Sequence, residues 1–86
     1  MESKVRDAIC TETVRILKQE RLKRRISMEL LAERAGLSQA MISYVERGLR
    51  IPTLDTLLRI SGVLKLELAD VLARASERAK KGKRGS

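Results

Sequence analysis

The chain has 86 residues, 43% of them hydrophobic, with one aromatic residue, one cysteine and no histidine; nineteen basic residues against eleven acidic ones leave a net charge of +8. A chain of this size makes one domain that buries only about 60% of the surface its unfolded form exposes. Without Phe or Trp its core must be built of Leu, Ile, Val, Ala and Met, which suits packed helices better than strands, and the inventory offers no histidine-based triad, phosphate loop, metal-ligand cluster, internal disulfide or membrane span. No enzymatic activity, cofactor, metal or membrane partner is expected, and a soluble protein in a reducing cytoplasm is the simplest setting.

Residues 1–3 are expected to be loose. From Lys4 to about Arg24 there is no Gly or Pro, and Cys10, Val14, Leu17 and Arg21 recur at helical spacing, which predicts a long first helix with Cys10 in a core or half-buried position. Its N-terminal part offers Val5, Ala8 and Ile9 for packing against the body or across a dimer, with a frayed end as the alternative. The basic run Lys23-Arg24-Arg25 follows.

Two short helices come next. Ser27 can cap the first, with Glu29 in its opening turn where the helix dipole favours an anion; Ser38 can cap the second. Between them Gly36 can adopt the left-handed conformation that ends a helix and redirects the chain. This is a helix-turn-helix pattern. On the second helix Met41, Ile42 and Val45 share one side, while Ala40, Ser43, Tyr44 and Arg47 share the other, with Gln39 at the leading flank. An outward face of small, amide, hydroxyl and guanidinium groups is what hydrogen-bonds base edges in a major groove. Arg21 and Glu46 both fall on core-facing stripes, where a charge is costly unless paired.

Gly48 and Pro52 close the second motif helix, with Arg50 exposed in the loop between them. Thr53 caps a fourth helix, and Leu54, Leu57, Leu58 and Leu64 are expected to form its apolar side. Leu66, Leu68, Val71 and Leu72 begin a fifth helix continuing through Ala79, with a longer apolar stripe than capping a small core requires. The last nine residues hold five positive charges (Arg78, Lys80, Lys81, Lys83, Arg84), which leaves fourteen positive against eleven negative residues, +3, on the rest. The stretch from Lys80 to Ser86 is poor in apolar residues and is expected to be disordered, with sequence-independent phosphate contact as one use for it.

The run Ala32-Glu33-Arg34-Ala35-Gly36-Leu37-Ser38-Gln39-Ala40-Met41-Ile42-Ser43-Tyr44-Val45-Glu46-Arg47-Gly48, followed by Pro52-Thr53-Leu54 and Leu57-Leu58-Arg59-Ile60, resembles the phage repressor and Cro-type (XRE) helix-turn-helix family over residues 14–75. The resemblance implies an all-α, compact five-helix, lambda-repressor-like DNA-binding domain with an extended first helix. Residues 1–13 would extend that helix, 14–76 form the domain and 77–86 a basic tail. It implies a homodimeric transcriptional regulator that binds double-stranded DNA with helix 38–47 in the major groove. Gln39, Ala40, Ser43, Tyr44 and Arg47 would meet bases, and Arg25, Ser27, Ser38, Arg50 and Thr53 would meet phosphates. An Arg21–Glu46 bridge would lock the first helix to the reading helix, and Leu66, Leu68, Val71, Leu72 and Ala75 would form a dimer contact, with burial inside the monomer as the alternative. Two positions depart from the pattern. Met28 stands where relatives carry a phosphate-bonding Gln, and Lys65 where they carry Gly, so Lys65 is expected to be left-handed or its turn differently built. The rival reading is an antitoxin or protein-interaction module with helix 66–79 as the partner surface.

Overall fold

In the computed structural model, which describes the backbone of residues 1–84 and the surroundings of side chains through Lys81, five α-helices follow one another and no strand occurs among the described residues. They are α1 (Ser3–Lys23), α2 (Met28–Ala35), α3 (Gln39–Glu46), α4 (Leu54–Val63) and α5 (Leu68–Arg84). One core joins them all: Ile16 and Leu17 of α1, Leu31 and Ala32 of α2, Ile42 of α3, Ile60 of α4 with the adjoining Leu64, and Leu68, Val71 and Ala75 of α5.

Local chemistry sets the helix ends. The hydroxyls of Ser27, Ser38 and Thr53 accept from the backbone N–H groups of Leu30, Met41 and Thr56 at 3.0, 3.0 and 3.1 Å, satisfying donors that a helix leaves orphaned. The other ends repeat one device four times. Arg25, Gly36, Gly48 and Lys65 have φ of 57°, 69°, 73° and 58°. In each case the left-handed residue donates to the carbonyl three back, and its successor donates to the carbonyl five back, as in Leu37 to Ala32 at 2.9 Å and Leu66 to Ser61 at 2.9 Å. This is the Schellman arrangement, and every successor is apolar: Ile26, Leu37, Leu49 and Leu66. All but Leu49 pack against the core. Lys65 therefore adopts the left-handed state, and Arg25 shares it without a glycine to signal it. At Gly36 there is a second constraint, because a Cβ there would lie 3.0 Å from Nη1 of Arg59, which donates to the Ala35 carbonyl at 3.1 Å.

The inner face of α1 follows the expected stripe at Leu17 and Arg21 and is shifted by one position before them. Cys10 is exposed and Val14 only half-buried, while Thr13, Ile16, Leu17 and Arg21 are buried and Ile9 packs against the core. Thr13 reaches the inner face because its hydroxyl donates to the Ile9 carbonyl at 2.7 Å, which removes the penalty for burying it. On α4 the leucines turn outward: Leu54 is 64% and Leu58 53% exposed, and the inner face is Thr56, Ile60 and Ser61, with Leu57 half-buried. Ile60 and Leu64, each anchored in the core, fix that rotation, and the buried hydroxyl of Ser61 donates to the Leu58 carbonyl at 3.2 Å.

Helix α5 packs along α1. Arg74 faces Glu20 at 3.4 Å, and Arg78 reaches Gln19 at 3.2 Å and Glu12 at 3.8 Å. Beneath this polar seam Leu68, Val71, Ala75 and Ala79 are buried. Three of the five residues expected at a dimer contact, Leu68, Val71 and Ala75, belong to the monomer's own core, where Ile16 and Leu17 of α1 are also buried; Leu66 is half-buried and Leu72 exposed. The helix also runs past Lys80 to Arg84, through a stretch whose composition suggested disorder; Gly85 and Ser86 of that tail lie outside the described residues. Glu20 is shared by Arg24 and Arg74, and the hydrogen bond from Arg24, aided by the nearby positive charges, holds its carboxyl below the usual glutamate range despite the opposing effect of desolvation. A depressed folded-state value adds stability above the unfolded glutamate pKa and loses it as pH falls through the folded value.

Arg21 and Glu46 form a bidentate ion pair, Nε to Oε2 at 2.7 Å and Nη2 to Oε1 at 2.9 Å, with side chains only 8% and 10% exposed. The remaining Nη1 donates to the Ile26 carbonyl at 2.8 Å, in the turn that leaves α1. Replacing Glu46 by Ala strands a buried guanidinium and is expected to lower unfolding free energy by roughly 3–5 kcal/mol in urea titrations, whereas the double change Arg21→Met with Glu46→Leu should recover most of that loss. Equal losses in both variants would contradict this account of the pair. Lys65→Gly removes a left-handed penalty that glycine's own entropy only partly cancels, so it should stabilise the fold by about 0.5–1 kcal/mol, read as a rise in melting temperature. An unchanged or lower midpoint would refute that.

Candidate nucleic-acid interface

The reading face expected on α3 is solvent-facing. Gln39, Ala40, Tyr44 and Arg47 are exposed and Ser43 is half-buried, while Ile42 and Val45 on the opposite side are buried. The Arg21 bridge pins this helix at its last turn, and the Ser38 cap defines its first. A short helix held at both ends is a rigid platform for its outward side chains.

Around it stand the residues expected at phosphates. Arg25 is exposed and left-handed, immediately before the Ser27 cap of α2. Ser27 and Ser38 accept backbone hydrogen bonds, which leaves each hydroxyl proton free to donate outward. Thr53 is more fully committed, since its hydroxyl accepts from the Thr56 N–H and donates to the Thr56 hydroxyl at 3.1 Å. Only backbone N–H groups at the start of α4 remain there for an anion. Arg50 is exposed, and its Nη1 lies 4.0 Å from Sδ of Met41, so this guanidinium leans back toward α3. Met28 packs against the core and does the work of an apolar anchor instead of a donor.

Some features of this surface have no counterpart in the sequence reading. Leu49 and Ile51 in the α3–α4 loop are exposed, as are Leu54 and Leu58 just beyond. Lys18 of α1 lines the same groove as Arg47 and Arg50. Nothing in the spacing along α1 marks Lys18, because its relation to the loop is tertiary. No cluster of three or more metal-ligating side chains occurs among the described residues, and no described helix is long and apolar enough to cross a membrane.

Comparison with known proteins agrees with this geometry. A helix-turn-helix family model matches residues 17–71. Two uncharacterized HTH-type transcriptional regulators, from two strains of Mycobacterium tuberculosis, are each 44% identical over 50 residues, which is 58% of this chain and 36% of theirs. The chain thus spans about a third of the length of the curated relatives it matches. The match excludes most of the first helix and most of α5, the two segments that pair with each other here. The chain belongs to the helix-turn-helix family of the phage repressor and Cro type.

Proposed function

We propose that this chain is a sequence-specific double-stranded DNA-binding transcriptional regulator that acts as a homodimer, with α3 in the major groove. The observation that carries the reading is the exposed polar face of α3, held rigid by a buried ion pair behind it. The names of the two mycobacterial relatives support the same reading. Gln39 at the head of the helix can pair bidentately with adenine, Ala40 can touch a thymine methyl, and Ser43 and Tyr44 can donate to base edges. Arg47 reaches a base or an adjacent phosphate. Arg25, Arg50, the Ser27 and Ser38 hydroxyls and the N–H groups that follow Thr53 hold the backbone and release counterions.

Burial of Leu68, Val71 and Ala75 in the monomer favours α4 over the α5 stripe as the two-fold contact. Leu54 and Leu58, one turn apart and both more than half exposed, give a self-complementary apolar patch beside the loop that follows the reading helix. A pair of reading helices related by that axis would suit a palindromic site. The exposed leucines equally describe the rival reading, a protein-interaction module that uses this fold to bind a different chain.

Selection from random duplexes at about 150 mM salt, with wild type beside Gln39→Ala, is expected to enrich a palindrome, with the variant losing roughly 1–3 kcal/mol at one symmetric base pair. No enriched motif, together with binding abolished by modest added salt, would leave only charge attraction and sink the specific reading. In sedimentation velocity the wild type should run as a dimer, and Leu58→Asp, a change at an exposed site, as a folded monomer. A monomeric wild type, or a dimer unaffected by Leu58→Asp, would remove the proposed interface.

A further inference from the structure

A groove of about 390 Å³ runs between α1 and the loop joining α3 to α4. Its polar rim is cationic. Arg15 is engaged by Glu12, and Glu46 by Arg21, while Lys18, Arg47 and Arg50 have no carboxylate partner among the described residues. Its apolar lining includes Val14, Val45, Ile51 and Pro52. Cys10, Ile51 and Pro52 form a wall shared with a second hollow of about 80 Å³, lined by Ile9, Thr13, Leu57 and Leu72 on its far side. Ile51 is 82% exposed and Leu72 is exposed, so apolar surface at this junction lies open to water. Cations and apolar side chains lining adjoining hollows form a head-and-tail arrangement of ligand-binding size.

We propose that this groove binds a small anionic amphiphile of the medium-chain carboxylate class. The carboxylate sits among Lys18, Arg47 and Arg50, and the aliphatic tail lies over Ile51 and Pro52 into the recess beside Leu57 and Leu72. Charge complementarity selects the head, since three uncompensated cations meet one anion in charge-assisted contacts. The tail covers apolar surface that a bare phosphate would leave wet. Arg47 and Arg50 also belong to the proposed DNA contacts, so ligand and duplex compete for them; this regulatory consequence, unlike the site itself, rests on the DNA-binding reading. Two ligands that need the same side chains are negatively coupled in both directions.

The test is titration of the isotope-labelled full chain with octanoate, octylammonium and inorganic phosphate, followed by NMR of the Val14, Ile51 and Leu72 methyl groups. Octanoate should shift these resonances saturably, octylammonium should not, and the exposed change Lys18→Ala should weaken octanoate about tenfold without altering the rest of the spectrum. Silence with octanoate would overturn the proposal. So would equal shifts with octylammonium, which would mean an apolar hollow without charge selection, or inorganic phosphate binding as tightly as octanoate, which would mean a seat for DNA phosphates. With a selected duplex, octanoate should lower wild-type DNA affinity but have little effect on DNA binding by Lys18→Ala. Octanoate binding in a chain that binds no duplex would leave the groove standing and sink the DNA reading, and duplex binding without octanoate binding would do the reverse.

Discussion

The Arg21–Glu46 pair is the constraint on which the arrangement of the reading helix depends. Its guanidinium makes two hydrogen bonds to the carboxylate at the end of α3 and a third to the Ile26 carbonyl in the turn leaving α1. One side chain thus fixes the distance and angle between two helices that are not consecutive in sequence. Burying two opposite charges gains little net stability over an apolar pair, because desolvation offsets most of the attraction. What it supplies is direction. Apolar residues at these positions could slide past one another, whereas a planar fork meeting a planar carboxylate tolerates one geometry.

The turns do the same work at the helix ends. Four stops share one hydrogen-bond pattern, and three caps share another, so the three short helices α2, α3 and α4 enter and leave in a defined way. Helices of eight to ten residues would be marginal alone in water. Their persistence comes from these end contacts and from one buried face each. Two of the four left-handed residues, Arg25 and Lys65, have a side chain, which is a cost the fold tolerates because the surrounding hydrogen bonds and the apolar successors Ile26 and Leu66 leave no other path for the chain.

The first and last helices pack against each other, partly beyond the residues that the family model matches. Thr13 and Ile16 of α1 and Ala75 and Ala79 of α5 are buried, beside a polar seam of Glu12, Glu20, Arg74 and Arg78. Small domains are limited by how much apolar surface they can remove from water, and this pairing enlarges the core without adding a domain. It buries Leu68, Val71, Ala75 and Ala79 of α5, while Leu72 of the same helix, Leu54 and Leu58 of α4, and Leu49 and Ile51 in the loop before α4 stay exposed.

Much of this was written into local sequence. Ser27, Ser38, Thr53, Gly36 and Gly48 mark helix boundaries because capping and left-handed turns are chemistry between near neighbours, and the two faces of α3 follow from residue spacing alone. The resemblance to the family supplied the partner of Arg21, which spacing could identify only as a charge in need of one. Tertiary structure alone decided which apolar stripe is covered and by what. Leu54, Leu57, Leu58 and Leu64 form a plausible face on paper, yet anchoring of Ile60 and Leu64 in the core turns Leu54 and Leu58 to solvent. Periodicity reports that a helix has an apolar side; only the position of its neighbours determines whether that side becomes core, groove or interface.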